Sequence, residues 1–93
     1  MTELPLRVAF LGCGGIAEHY LRVYRELDWV EVRVCVDVDI NRAQDAAAQI
    51  GPATRASINP ADALSDDVDV VVINTPNHLH REQAIAALTA NKH

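Results

Sequence analysis

Gly12, Cys13, Gly14, Gly15, Ile16 and Ala17 stand directly after a short apolar run. Their spacing is that of a loop built to hold a diphosphate. Gly12 permits a tight turn off a strand, and Gly14 has no side chain to keep a pyrophosphate from the backbone. Ala17 is small enough for a following helix to pack closely on the sheet. A helix opening here aims free N–H groups and the positive end of its dipole at phosphate oxygens. Asp37 lies about 20 residues beyond Ala17 and closes the next β-rich run, where a carboxylate can accept hydrogen bonds from the ribose hydroxyls of the adenosine half of NAD. That carboxylate would repel the 2′-phosphate of NADP, so NAD is the expected cofactor. Arg42, one turn into the next helix, could pair with that phosphate, which keeps NADP open. Val38, beside Asp37, is grouped with the cofactor-binding residues.

Glycine-rich turns also follow strands for conformational reasons alone. Here the motif follows a strand, opens a helix and is succeeded by an acid at the end of the next strand, and together these favour dinucleotide binding. Cys13 lies inside the loop, where a helix N-terminus would favour its thiolate, although a small residue filling a variable position is the plainer account. A Cys13–Cys35 bridge requires neighbouring strands to bring the two together, and a cytosolic setting argues against it. His78, His19 and His93 carry no site role from position alone.

The elements that must position these residues alternate. Residues 7–11 read as a short strand buried on both faces. Ile16, Tyr20, Tyr24 and Leu27 then recur at helical spacing to about Asp28. Residues 30–38 alternate, with Val30, Val32, Val34, Val36 and Val38 expected on one face. Asp39 can cap a helix over residues 41–50 with Ala43, Ala46, Ala47 and Ile50 inward, stopped by Gly51 and Pro52. Residues 53–58 form a weak third strand. Asn59 and Pro60 read as cap and first position of a short helix to about Ser65. Residues 68–74 form a central strand ended by Thr75-Pro76. Asn77 can cap a last helix with Leu79, Ala84, Ala87 and Leu88 inward, and Asn91 is a left-handed stop. Trp29 is expected to pack at a helix end, Glu18 with Arg22 and Arg42 with Asp45 are expected to pair along helices, and Asp39 is assigned to capping rather than to the ribose.

This order predicts an α/β chain, a partial Rossmann fold with a doubly wound parallel sheet of four strands in the order 3-2-1-4. The last strand then lies at an edge, apolar on both faces, which invites self-association.

Composition bounds the rest. Ninety-three residues make one small domain, which buries roughly 60–65% of its unfolded surface. A formal charge of −5 and 4% aromatic residues argue against a nucleic-acid partner. Two cysteines are too few for a disulfide scaffold, and no metal-ligand spacing appears. With no leader-like start and no apolar run near the length of a membrane span, the expectation is a reduced, cytoplasmic protein with no membrane partner.

With the glycine loop, VDVDINRA and INTPNHLHREQAIAALTANKH in view, the chain resembles the glucose–fructose oxidoreductase/inositol dehydrogenase/MocA family. The resemblance implies an NAD(P)-binding domain of an oxidoreductase that moves hydride between a nicotinamide cofactor and a sugar- or cyclitol-like alcohol. It places Asn74, Thr75, Pro76, Asn77 and His80 on the nicotinamide side of the cleft. The family's Glu-Lys-Pro segment, its proton-transferring lysine and its substrate domain find no counterpart in residues 1–93. No catalytic residue is therefore expected in this chain, and alone it is expected to be inactive. The other reading is a non-catalytic nucleotide-binding or interaction module.

Overall fold

The computed structural model describes residues 5–14, 22–23, 26–75 and 77–93. The expected first helix, with Gly15, Ile16 and Ala17, lies largely outside them, as does Pro76. Four strands form one parallel sheet: β1 (Leu6–Leu11), β2 (Val30–Val36), β3 (Arg55–Ser57) and β4 (Val70–Ile73), in the order β3-β2-β1-β4. Helix α1 (Ile40–Ile50) joins β2 to β3, a 3₁₀ helix (Pro60–Leu64) joins β3 to β4, and α2 (Asn77–Thr89) follows β4.

The sheet is buried on both faces, as its run of β-branched residues dictates. Val8, Phe10, Val32 and Cys35 pack under Ala46 and Ala47 of α1. Ala9, Leu11, Val34, Val36 and Val71 pack under Ala63 of the 3₁₀ helix and Ala87 of α2, with Val68. One expectation is corrected here. The valines of β2 do not share a face, because the β1–β2 register slips between Val8/Ala9: Val8 opposes Val32 while Ala9 opposes Val34. Arg33 is the extra residue of a bulge, and beyond it the alternation is reversed, so Cys35 joins Val32. β2 also ends at Val36 rather than Val38, which is 91% exposed.

Local signals fix the helix ends. The Asp39 carboxylate accepts the Asn41 N–H at 2.9 Å, and Asn59 accepts the Ala61 N–H at 3.0 Å ahead of Pro60. Asn91 has φ 62. Around it the N–H groups of Asn91 and Lys92 close back on the carbonyls of Leu88 and Ala87 at 3.1 and 2.9 Å, a Schellman stop. Helix α2 takes in Asn77 itself, and its inward residues are Leu79, Ala84 and Ala87. Leu88 faces solvent at 68% exposure, contrary to expectation. Trp29 is likewise half exposed, and its carbonyl accepts the Leu6 N–H.

β4 is an outermost strand, as the expected order requires, but its outer side is partly met. The Val71 N–H donates to the His93 carbonyl and the His93 N–H to the Asp69 carbonyl. At the amino ends of the strands, Asp69 accepts three hydrogen bonds from Arg7, and Asp67 joins Arg33 and Arg55. These guanidinium groups, with Ser65 at Asp67, hold both carboxyls below the usual carboxylate range. No helix among the described residues is long and apolar enough to cross a membrane.

Candidate functional site

The carboxyl ends of β1, β2 and β4 open onto a cleft of about 840 Å³. This is where ligands sit in open α/β sheets. Gly12 leaves β1 with φ 94, and its N–H donates to the Val36 carbonyl at 2.8 Å. A Cβ on Gly12 would lie 2.8 Å from the carbonyl carbon and oxygen of Asn74 and 2.9 Å from the Thr75 nitrogen. Both the backbone conformation and the close passage of the β4 exit therefore demand glycine. Gly14 differs. Among the described residues a Cβ there meets nothing within 4 Å, and the residue lines the cleft. That open backbone is the cradle a diphosphate needs.

Asp37 follows β2 and is 9% exposed. Its backbone N–H donates to the Ser57 carbonyl at 3.1 Å. Oδ2 accepts the Cys13 N–H and Oδ1 the Asp39 N–H, both at 2.9 Å. Two main-chain donors thus fix the carboxylate at the cleft wall, and each oxygen keeps acceptor capacity. Asp39 is committed to capping α1 and to Arg42, whose Nε lies 3.9 Å from it. Arg42 therefore faces Asp39 in an ion pair rather than the expected Asp45, and it lines the cleft with an exposed side chain.

Asn74 ends β4 with its N–H on the Leu11 carbonyl at 2.7 Å. Its side-chain Nδ2 is buried at the cleft with no hydrogen-bond partner among the described residues. A buried donor left unpaired costs free energy unless something supplies an acceptor. The Thr75 hydroxyl donates to Gln83 Oε1, and the His80 Nε2–H donates to the Thr75 carbonyl. The His80 ring thus braces the turn rather than lining the cleft, whereas His78 lines it. Sequence reasoning missed Ile58 from the loop after β3, and Glu82, Gln83 and Ala86 from α2, all of which line the cleft. The signal for the last three was their spacing with Leu79 along one helical face. Gly15, Ile16, Ala17, Pro76 and the Asn77 side chain lie outside the described residues.

Open backbone at Gly14, a fixed carboxylate at Asp37 and an unpaired buried donor at Asn74 fit a dinucleotide spanning the sheet's end. Comparison with known proteins agrees. Residues 6–93 match the model of the GFO_IDH_MocA oxidoreductase family, NAD-binding Rossmann fold. The chain is 38% identical over 89 residues to inositol 2-dehydrogenase of Rhodococcus erythropolis, covering 94% of this chain and 25% of that protein. It is 36% identical over 89 residues to 4-carboxy-2-hydroxymuconate-6-semialdehyde dehydrogenase of a Sphingobium species, covering 95% and 28%. Among solved structures, a 3-ketoreductase from Actinomadura kijaniata in complex with NADP and TDP-benzene superposes with TM-score 0.85 at 32% identity, covering 96% of this chain and 27% of that one. The chain spans about a quarter of the length of these relatives.

Proposed function

The chain belongs to the GFO_IDH_MocA oxidoreductase family as its NAD-binding Rossmann domain, and from that premise we propose that it serves a dehydrogenase acting on a sugar- or cyclitol-like alcohol. The bound nicotinamide would supply the hydride acceptor or donor. The chain's own residues hold the cofactor: Gly12 makes the turn, Gly14 presents its main-chain amide to the diphosphate, and Asp37 accepts from the adenosine ribose. Asn74 Nδ2 donates to the ligand near the nicotinamide end, beside Thr75 and His78. The observation that carries this reading is the Asp37 carboxylate, fixed at the cleft by Cys13 and Asp39. NAD is favoured over NADP because a 2′-phosphate would meet that charge, and exposed Arg42 limits the preference.

The alcohol substrate class is supported by the inositol dehydrogenase and ketoreductase relatives. The Sphingobium relative, named for an aldehyde substrate, supports the view that the substrate is chosen outside this domain. Groups that move the substrate proton belong, on this reading, to a second domain outside residues 1–93. The chain alone then binds cofactor without turnover in the cytoplasm. A second copy docking on the part of the β4 edge beyond His93 remains part of this proposal, and a monomer by sedimentation at high concentration overturns that part.

NADH titrated into the chain, followed by its fluorescence, should saturate. Inositol or glucose with NAD+ should then give no NADH. Absent binding on folded material would sink the cofactor reading, and turnover would sink the claim that proton transfer needs a second domain.

A further inference from the structure

The chain has two cysteines, and the fold brings them together. Cys35 is fully buried in β2, on the face that the bulge at Arg33 turns toward Phe10 and α1. Cys13, half-buried, packs against the same cluster from the loop leaving β1. Its thiol donates to the Val36 carbonyl at 3.5 Å, on the residue next to Cys35. No step of cofactor binding uses either sulfur.

We infer that Cys13 and Cys35 are a peroxide-sensitive dithiol, which closes to an intrachain disulfide that staples the glycine-rich loop to β2. The roles follow from the surroundings. The Cys35 hydrogen bond holds Cys13 below the usual thiol range, against burial and the charge of Asp37. The same hydrogen bond and burial push Cys35 well up. The more accessible Cys13 thiolate attacks one peroxide oxygen, the O–O bond breaks, and hydroxide leaves to be protonated to water. The Cys35 sulfur then attacks the Cys13 sulfenic sulfur, the S–O bond breaks, and the departing hydroxyl takes the Cys35 proton as water. Two thiols are oxidised and one peroxide is reduced.

A second consequence rests on the dinucleotide reading above. The Cys13 N–H holds Asp37 Oδ2, so drawing Cys13 toward β2 disturbs both the loop and the ribose acceptor. The oxidised chain should bind NADH roughly tenfold more weakly, the order of ordinary coupling between sites. Bound NADH should protect the dithiol by the same factor.

The test treats the reduced chain with hydrogen peroxide, alkylates free thiols and maps the peptides. The expected product has lost two hydrogens, contains a Cys13–Cys35 cross-linked peptide and reverts with a thiol reductant. In Cys35→Ser, whose hydroxyl can still donate to Cys13, Cys13 should stop at sulfenic acid, trapped by a cyclic dione. In Cys13→Ser, Cys35 should resist peroxide. Both thiols alkylated after treatment, cross-links only between chains, or Cys13 oxidised past sulfenic acid without a bridge would each overturn the dithiol. Equal NADH affinity in the reduced and bridged chains would overturn its coupling to the cofactor. Failure of the reduced chain to bind NADH would strike the dinucleotide reading and leave a mapped bridge standing.

Discussion

The main-chain N–H of Cys13 donates to Oδ2 of Asp37 at 2.9 Å, so the loop leaving β1 and the acid leaving β2 are one unit. The second oxygen accepts from Asp39, whose own carboxylate caps α1. A chain of backbone-to-carboxylate contacts thus runs from the glycine-rich loop through Asp37, the proposed ribose acceptor, to the next helix. Such charge-assisted bonds hold a binding carboxylate in place before its ligand arrives, which lowers the ordering cost of binding.

Asp37→Ala should therefore damage both fold and function. Two part-buried amides lose their acceptor, at a cost of about 1 kcal/mol each. Urea unfolding should show that loss, and NADH affinity should fall tenfold or more. Asp37→Arg should weaken NADH and improve NADPH by fluorescence titration. Unchanged affinity for both would mean that the carboxylate never touches the ribose.

The two glycines separate stability from binding. Gly12→Ala imposes positive φ on a side chain and sets a methyl 2.8 Å from the Asn74 carbonyl. The expected loss is about 2 kcal/mol or more, or a drop of at least roughly 8 °C in melting temperature for a domain of this size. Gly14→Ala meets no neighbour among the described residues, so its melting temperature should stay near that of the parent while NADH affinity drops. A stable Gly12→Ala chain, or a Gly14→Ala chain that binds normally, would contradict this division.

What was legible in the sequence was mostly local. Asp39, the Asn59-Pro60 pair and Asn91 act through their own backbone neighbourhoods, and the structure finds each in its expected place. The strand order followed from alternation of strands with helices and the handedness of crossovers. The bulge at Arg33 was hidden because β2 is covered on both faces. With no solvent face, apolar residues of either phase can be buried, and the pattern does not mark a slip. The orientations of His78 and His80 were hidden for a related reason: they depend on how α2 rotates about its axis against the sheet. Tertiary packing sets that rotation, and the exposed Leu88 shows it differs from the apolar stripe in the sequence.

Asn74 supplies a test that does not depend on charge. Its Nδ2 is already buried without a partner among the described residues, so Asn74→Ala removes an unsatisfied donor rather than a made bond. Thermal stability should hold or rise. NADH affinity should fall about tenfold, the value of one hydrogen bond to a ligand. A clear loss of stability with unchanged affinity would show that the amide serves the apo fold instead.

Acid should loosen the chain from the end of the sheet opposite the cleft. Asp67 and Asp69 are held below the usual carboxylate range, chiefly by hydrogen bonds from Arg55 and Arg7. Their folded values lie under the unfolded value of about 3.9, so the stabilisation is complete above that pH and is lost as pH falls through the folded values. Asp67 is partly exposed at 26%, and solvent screening keeps each of its pairs to about 1 kcal/mol or less. Asp69, 17% exposed and bound by the Arg7 backbone and guanidinium, should matter more because it fastens β4 to β1. Urea midpoints should be flat from about pH 7 to pH 5 and fall steeply below about pH 4. Asp69→Asn should be less stable at neutral pH and show a shallower acid decline than the parent. An acid decline of equal steepness in that variant would place the acid-sensitive group elsewhere.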